Sequence, residues 1–401
     1  MSDGAPVLRR IDWSEVCPWL ILFRSFRLSI SIPVLFLATV GTLLTPLGWM
    51  ASSALFIRPE SHRPEFVDAV AANSEWPAAV MAEPRSAARK LTDLKDWIPD
   101  NGLRYYFDCV PGVYCGFIDP FAQLANSELK SSQIAYYLFG GIWNIGIWAF
   151  VGGAITRLAA VQLGRDERLS LRKAISHARR NLGWYMAAPF FPMLGIVLIA
   201  APILILGLAM RTAIGTLVAG LFWPLVLVAG FVMAVLLIGL ACGWPLMWPT
   251  ISCEEGSDAF EAFSRSFSYT YQRPLQYFFC VAITVVVGAL GWFFVSTFCL
   301  CLLQLTEGVA SWGAGGERVR QLLSGDNEGL LWFGAQLINL AETVAQTIAV
   351  SFRYGFFFCV STAVYLLLRR AVDQTDFDEV FLEDEEQRYG LPDLDPGNTS
   401  P

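Results

Sequence analysis

Apolar residues dominate six stretches of this chain, at 28–56, 133–160, 184–210, 214–248, 275–303 and 345–370. Each holds a run of about 20 residues, which at about 1.5 Å per residue crosses about 30 Å of hydrocarbon. Lipid offers backbone groups no partner, so each run must be helical. The pattern therefore predicts an all-α membrane protein, a six-transmembrane-helix bundle. The fourth run contains Trp223-Pro224, which predicts a kink or an interfacial seat at its outer end. Residues 1–27, with Trp13, Trp19 and Phe23, are long and bulky for the n-region of a cleaved signal peptide, so the first run is expected to remain as a span.

Between the runs, polar residues set an orientation. Arg9, Arg10, Arg24 and Arg27 precede the first run; Arg165, Arg168, Arg172, Lys173, Arg179 and Arg180 lie in 161–183; Arg369 and Arg370 end the sixth. With six crossings these fall on one side. The positive-inside rule makes that side cytoplasmic, with both termini there, and a cell with two membranes would hold the chain in the inner one. The segment 57–132 carries eight bases but is long, and long loops cross largely regardless of charge. It is broken by seven prolines, from Pro59 to Pro120, and is expected to lie on the outer membrane face. Residues 304–344 form a second outer loop in this reading.

Three spans share a lead-in pattern. Arg24-Ser25-Phe26 is followed by Pro33, Arg265-Ser266-Phe267 by Pro274, and, more loosely, Arg180-Asn181-Leu182 by Pro189. Before these come amphipathic stretches in 1–27, 161–183 and 249–274, with Phe260, Phe263, Phe267 and Tyr271 or Leu171, Ile175, Ala178 and Leu182 at helical spacing. Asp12 with Glu15 and Asp258 with Glu261 have the form of capping boxes. The expected structure is a helix in the membrane interface, apolar face in the lipid boundary, followed by a hairpin of two spans. Three such units cover 12–161, 165–249 and 257–370.

The stretch Glu255-Gly256-Ser257-Asp258-Ala259-Phe260-Glu261-Ala262-Phe263-Ser264-Arg265-Ser266-Phe267, followed by a long apolar run, resembles a recurrent element of bacterial polytopic membrane families. One is the membrane domain attached to some glycerophosphodiester phosphodiesterases. The likeness covers about 25 residues and implies a helical membrane module. It carries no catalysis, because the soluble phosphodiesterase domain has no counterpart here.

Composition sharpens the picture. Apolar residues make up 55% and charged ones 16%, against about 25% charged in soluble domains. Mean hydropathy is +0.49. Of the net charge of −7, residues 371–401 supply −9 through ten acids and Arg388, leaving +2 elsewhere. No basic field points to nucleic acid. The acidic tail is expected to be a disordered cytoplasmic segment, with Phe377, Val380, Phe381 and Leu382 as a candidate docking peptide for a protein partner.

Candidate chemistry is sparse. Asn144 falls in mid-span two; Arg353, preceded by Glu342 and Gln346 on a similar face, falls about one turn inside the outer end of span six, where it snorkels or makes an ion pair or anion contact. Polar groups in spans mark either a pathway or helix packing. Arg157 is expected to snorkel. Arg172, Lys173, Arg179, Arg180 and Arg265 are candidate lipid-headgroup contacts, and His177 an interfacial neighbour. Cys109 and Cys115 flank Val-Pro-Gly-Val-Tyr, and on an oxidising side a disulfide would close that turn; two free thiols are the alternative. Gly239 with Gly243, Gly215 with Ala219, Gly230 with Ala234 and Ala149 with Gly153 have helix-packing spacing, within the bundle or in an oligomer. Trp143, Trp148, Trp184, Trp223, Trp244, Trp248 and Trp292 fit interfacial belts in part, with core packing for the rest. There is no P-loop, G-x-S-x-G, HExxH or paired CxxC, and no cofactor or metal site is expected from two histidines. The leading expectation is a structural, assembly or regulatory membrane component. A transporter or channel using Asn144, Arg353 and Glu342 is the rival, and an intramembrane lipid-modifying enzyme a third.

Overall fold

A computed structural model describes residues 17–56, 103–124, 129–318 and 329–381. The described chain is helical throughout, in order α1 (Ile21–Ser29, after a 3-10 turn at Pro18–Leu20), α2 (Ile32–Phe56), α3 (Leu103–Phe107), α4 (Cys109–Gln123), α5 (Ser131–Gly164), α6 (Leu171–Arg180), α7 (Leu182–Ala209), α8 (Ala213–Cys253), α9 (Ala259–Gln272), α10 (Pro274–Ala314) and α11 (Leu330–Asp373). Six of these, α2, α5, α7, α8, α10 and α11, are long and apolar enough to cross a membrane. The protein is an all-α, multi-pass membrane bundle.

The spans exceed their sequence-based limits. Helices α10 and α11 extend through most of 304–344, expected as a loop, and α11 alone is 44 residues, about 66 Å. Polar residues such as Glu307 and Glu342 lower the hydropathy there without breaking the helix. Gly315, at φ +78°, ends α10 in a conformation that side chains resist. Helix α8 runs unbroken through Trp223-Pro224.

Three units repeat one plan: a short helix, a sharp break, then two long helices. The breaks fall after Ser29, Arg180 and Gln272. Pro274 opens α10 at its first turn, where its missing N–H costs nothing. The looser match fails here, because Pro189 lies well inside α7. Asp258 caps α9 by accepting the Glu261 amide at 2.8 Å. Asp12 and Glu15 lie outside the described residues.

The units close into a ring. Each short helix packs chiefly on the second long helix of the preceding unit: α6 on α5, α9 on α8, and α1 on α11. Helices α5, α8 and α11 touch one another as an inner triad. The apolar faces of the short helices therefore meet protein in part, while Phe23 of α1 and Phe260 and Tyr271 of α9 remain exposed. Ala174, His177 and Ala178 of α6 are buried, as are Ile21, Leu22 and Leu28 of α1 and Ala262 and Phe267 of α9. The short helices, the ends of the inner triad and the C-terminal segment gather at one end, here named the basic end.

Helices α8 and α10 touch little beyond the bond from Tyr277 to the Cys242 carbonyl at 2.7 Å, and α4, with α3 beside it on α10, packs between them. Helix α4 packs against α5, α10 and α11, and its Tyr114 and Phe117 reach α8. It does not lie on a membrane face as expected for 57–132. Cys109, Val113 and Phe117, four residues apart, make an apolar stripe that is 0%, 3% and 6% exposed. The Phe117 ring meets Trp148, Trp244, Trp248, Phe357 and Phe358 at 5.1 to 6.4 Å. Val-Pro-Gly-Val-Tyr is thus helix and not a turn. Cys109 and Cys115 are both free, the first buried and the second exposed. Six residues of helix separate them by about 9 Å, beyond disulfide reach.

The tryptophans divide between core and surface. Trp148, Trp244, Trp248 and Trp292 are buried, whereas Trp143, Trp184 and Trp223 are exposed. Indoles fill the wide gaps that glycines leave: a Cβ at Gly140 would strike the Trp49 ring, and one at Gly48 the Trp143 ring.

Candidate functional site

The interior polar groups hold α4. Asn144 of α5 is buried and its amide donates to the Gly116 carbonyl at 3.3 Å. Arg353 of α11 donates to the Asp108 carbonyl at 2.7 Å, pairs with the Asp108 carboxylate at 3.2 Å and lies 5.8 Å from the Trp292 ring centre. Tyr114 donates to the Ala241 carbonyl of α8 at 2.6 Å. Glu342 does not join them. It lies three turns from Arg353 along α11, with Glu307 of α10 as its charged neighbour. Arg353 contacts the start of α4 and Asn144 its middle, so the two are not brought together.

A second cluster forms where the inner triad ends. Each of α5, α8 and α11 brings polar groups to its last turns: Thr156, Arg157 and Arg165; Ser252 and Glu254; Tyr365 and Arg369. Glu254 forms an ion pair with Arg369 at 2.9 Å, with side chains only 12% and 8% exposed, and accepts the Tyr365 hydroxyl at 2.8 Å. Arg265 of α9 lies 3.5 Å from Glu254, 3.6 Å from Asp373 and 2.7 Å from Glu261. A half-buried carboxylate is tolerated only with several such partners, since desolvation costs several kcal/mol per ion. Thr156, Ser252 and Tyr185 complete a hydroxyl chain, at 2.6 and 2.7 Å.

The electrostatics favour fixed charges. Burial works against the Arg265 charge, but Glu254, Tyr269 and Tyr365 together more than offset it and raise its affinity for the proton. Burial, and then the hydrogen bond to Asp373, hold the Tyr269 hydroxyl protonated above the usual tyrosine range.

Across this mouth runs the segment after α11. Gln374, at φ +58°, ends the helix and turns the chain back. Three successive carbonyls then meet three arginines. Arg369 donates to Glu379 O at 2.8 Å, Arg165 to Val380 O at 3.2 Å and Arg157 to Phe381 O at 2.9 Å. Arg157 also donates to Ser252 O at 2.6 Å, and the Phe381 amide to Cys253 O at 3.1 Å. Val380 is 2% exposed, while Asp376, Asp378 and Glu379 face outward. Arg370 sits 4.9 Å over the Phe377 ring. A recess of about 400 Å³ remains beside the strap, lined by Arg165, Glu254, Glu255 and residues 378–381.

Several sequence expectations are placed differently. Arg157 does not snorkel: it is 3% exposed and bonded to two carbonyls. Arg265 faces carboxylates rather than headgroups. Arg172, Lys173, Arg179 and Arg180 are exposed on α6, while His177 is buried beside Asn181 and the Tyr185 ring. Gly239 and Gly243 receive Phe267 and Ser266 of α9 rather than another span, Gly153 receives Tyr185, Gly215 abuts the α7–α8 turn, and Gly230 faces open space. Sequence reasoning missed Asp108, Arg165, Glu254, Tyr365 and Arg369 as a set. The available signal was a charge at the end of every even-numbered span; the carbonyls they bind have no side-chain signature.

Among the described residues, no group of three or more His, Cys, Asp or Glu is placed to hold a metal ion. The arrangement offers donors for carbonyl or anionic oxygens. Fold and site together define the class: a multi-pass helical membrane protein with an arginine-lined mouth at one end of its bundle. No family model, curated protein or solved structure matches the chain.

Proposed function

We propose that this protein is a structural, assembly or regulatory component of the cytoplasmic (inner) membrane. Its basic end and both termini lie in the cytoplasm, where the arginines of α6 contact lipid headgroups. One observation carries the reading. Asn144 and Arg353, the polar groups best placed for a pathway, are engaged in fixing α4 inside the ring. A transport route would need such groups to face water or a moving solute. The likeness of 255–267 to an element of bacterial polytopic membrane families agrees with a membrane module of this kind.

Two measurements test this. Purification in mild detergent should bring down stoichiometric protein partners, with hydrogen exchange at 140–148 slow because that backbone is dry. Rapid exchange at 140–148, with no co-purifying protein, would point to a water-filled pathway and overturn the reading.

A further inference from the structure

We propose that the basic mouth is a binding site for a peptide main chain. The chain's own 377–381 segment fills it in cis, and an acidic segment of the same pattern from a partner protein takes its place when that segment leaves. This does not rest on the assembly reading, and the experiments below can fail while that reading stands.

The recognition is of main chain. Three consecutive carbonyls each receive an arginine from α5 or α11, and the Phe381 amide returns a bond to α8. A solvated surface tail has no need of such bonds, and a buried guanidinium needs acceptors. One segment thus ties together all three helices of the inner triad. The segment turns at residues 377–378, with the Val380 amide bonded to Asp378 O at 2.8 Å, before its next three carbonyls meet the arginines. Side chains add a register. Val380 is buried, and Phe377 packs under Arg370. Gly164 makes the close approach feasible, because a Cβ there would collide with the Phe377 carbonyl and the Val380 side chain. Asp378 and Glu379 of the segment point outward, away from the buried arginines. A segment of the same pattern, with apolar residues at the positions of Phe377, Val380 and Phe381 and acids left in water between them, therefore fits the sockets. Main-chain bonds that ignore sequence, with pockets for selected side chains, are a general form of peptide recognition.

The test uses the chain truncated after Asp373 and a fluorescent peptide of residues 374–388. The truncated protein should bind the peptide, and the intact chain at least about tenfold more weakly, because a tethered segment competes at an effective concentration of about mM. The V380D peptide should lose at least about tenfold, and truncated protein carrying Gly164→Val should not bind. Truncation could unfold the protein, so a second measurement uses the intact chain: excess unlabelled peptide should accelerate hydrogen exchange at 377–381 and leave α5 unchanged. No binding to a folded truncated chain, equal binding to both chains, or exchange unmoved by peptide would each overturn the proposal. So would displacement of the peptide by inorganic phosphate or by vesicles containing anionic lipid, which would make the mouth an anion site.

Discussion

Arg353 and Arg157 are both buried arginines, yet they do different work. Arg353 spends its hydrogen bonds on one residue, Asp108, through carbonyl and carboxylate alike. Removing it takes away one of that carbonyl's two partners, leaving the Gly112 amide at 2.9 Å, unpairs the Asp108 carboxylate and empties a buried site at the start of α4. Arg353→Ala should therefore cost about 3 kcal/mol, whereas Asp108→Asn keeps the carbonyl bond and the half-exposed side chain, and should cost about 1 kcal/mol or less. Thermal unfolding of the two variants in one detergent checks the order; equal losses would refute the role given to the carbonyl. Tyr269 supplies a pH effect. Its proton affinity is raised in the folded protein, so folded and unfolded states bind equal protons at neutral pH. Above about pH 10 the unfolded tyrosine loses its proton first, and stability falls as pH rises. Tyr269→Phe should flatten the midpoint-against-pH curve between about pH 10 and 11.5 relative to wild type. An unchanged slope would count against the Tyr269–Asp373 bond.

At the scale of elements, the short helices explain how the ring closes. Helix α9 depends on its Asp258 cap and on Phe267 seated against Gly239. Asp258→Ala should cost about 1 kcal/mol and speed exchange of the first-turn amides, Glu261 above all. Gly239→Leu should be worse, because the added side chain occupies the place of the Phe267 ring and lifts α9 from α8. Its expected cost is about 2 to 3 kcal/mol, read as a lower thermal midpoint with total helix content retained. Helix α4 makes a separate prediction. A maleimide should label Cys115 and spare Cys109, with no change of gel mobility on reduction; rapid labelling of both would mean that α4 leaves the ring.

For the whole molecule, six crossings bring both ends of the described chain to the basic end. Reporters fused after Arg370 should report a cytoplasmic location, and one inserted at Arg211-Thr212 the opposite side. A reporter after Arg370 on the outer side would reverse the proposed orientation. The ring also distributes stability unevenly. Helix α11 has most of its apolar span buried, while the halves of α7 and α8 nearest their connecting turn expose Leu204, Leu217 and Phe231 among many others. Lipid covers such surfaces at no cost, so this hairpin should show the lower protection of the two once detergent replaces lipid.

Hydropathy alone determined the helical class, the six spans and the short amphipathic helices, because the cost of leaving about 20 apolar residues in water or of an unpaired backbone in lipid is local and additive along the chain. The Arg-Ser-Phe…Pro spacing likewise marked two of the three breaks. Tertiary structure decided the rest. Whether Cys109, Val113 and Phe117 face lipid or protein depends on a gap between α8 and α10 that neither helix encodes by itself. Whether Arg157 snorkels or is buried depends on a strap 224 residues away supplying a carbonyl. Main-chain acceptors carry no residue identity, so the arginines that find them look, in sequence, like any charges at the ends of spans.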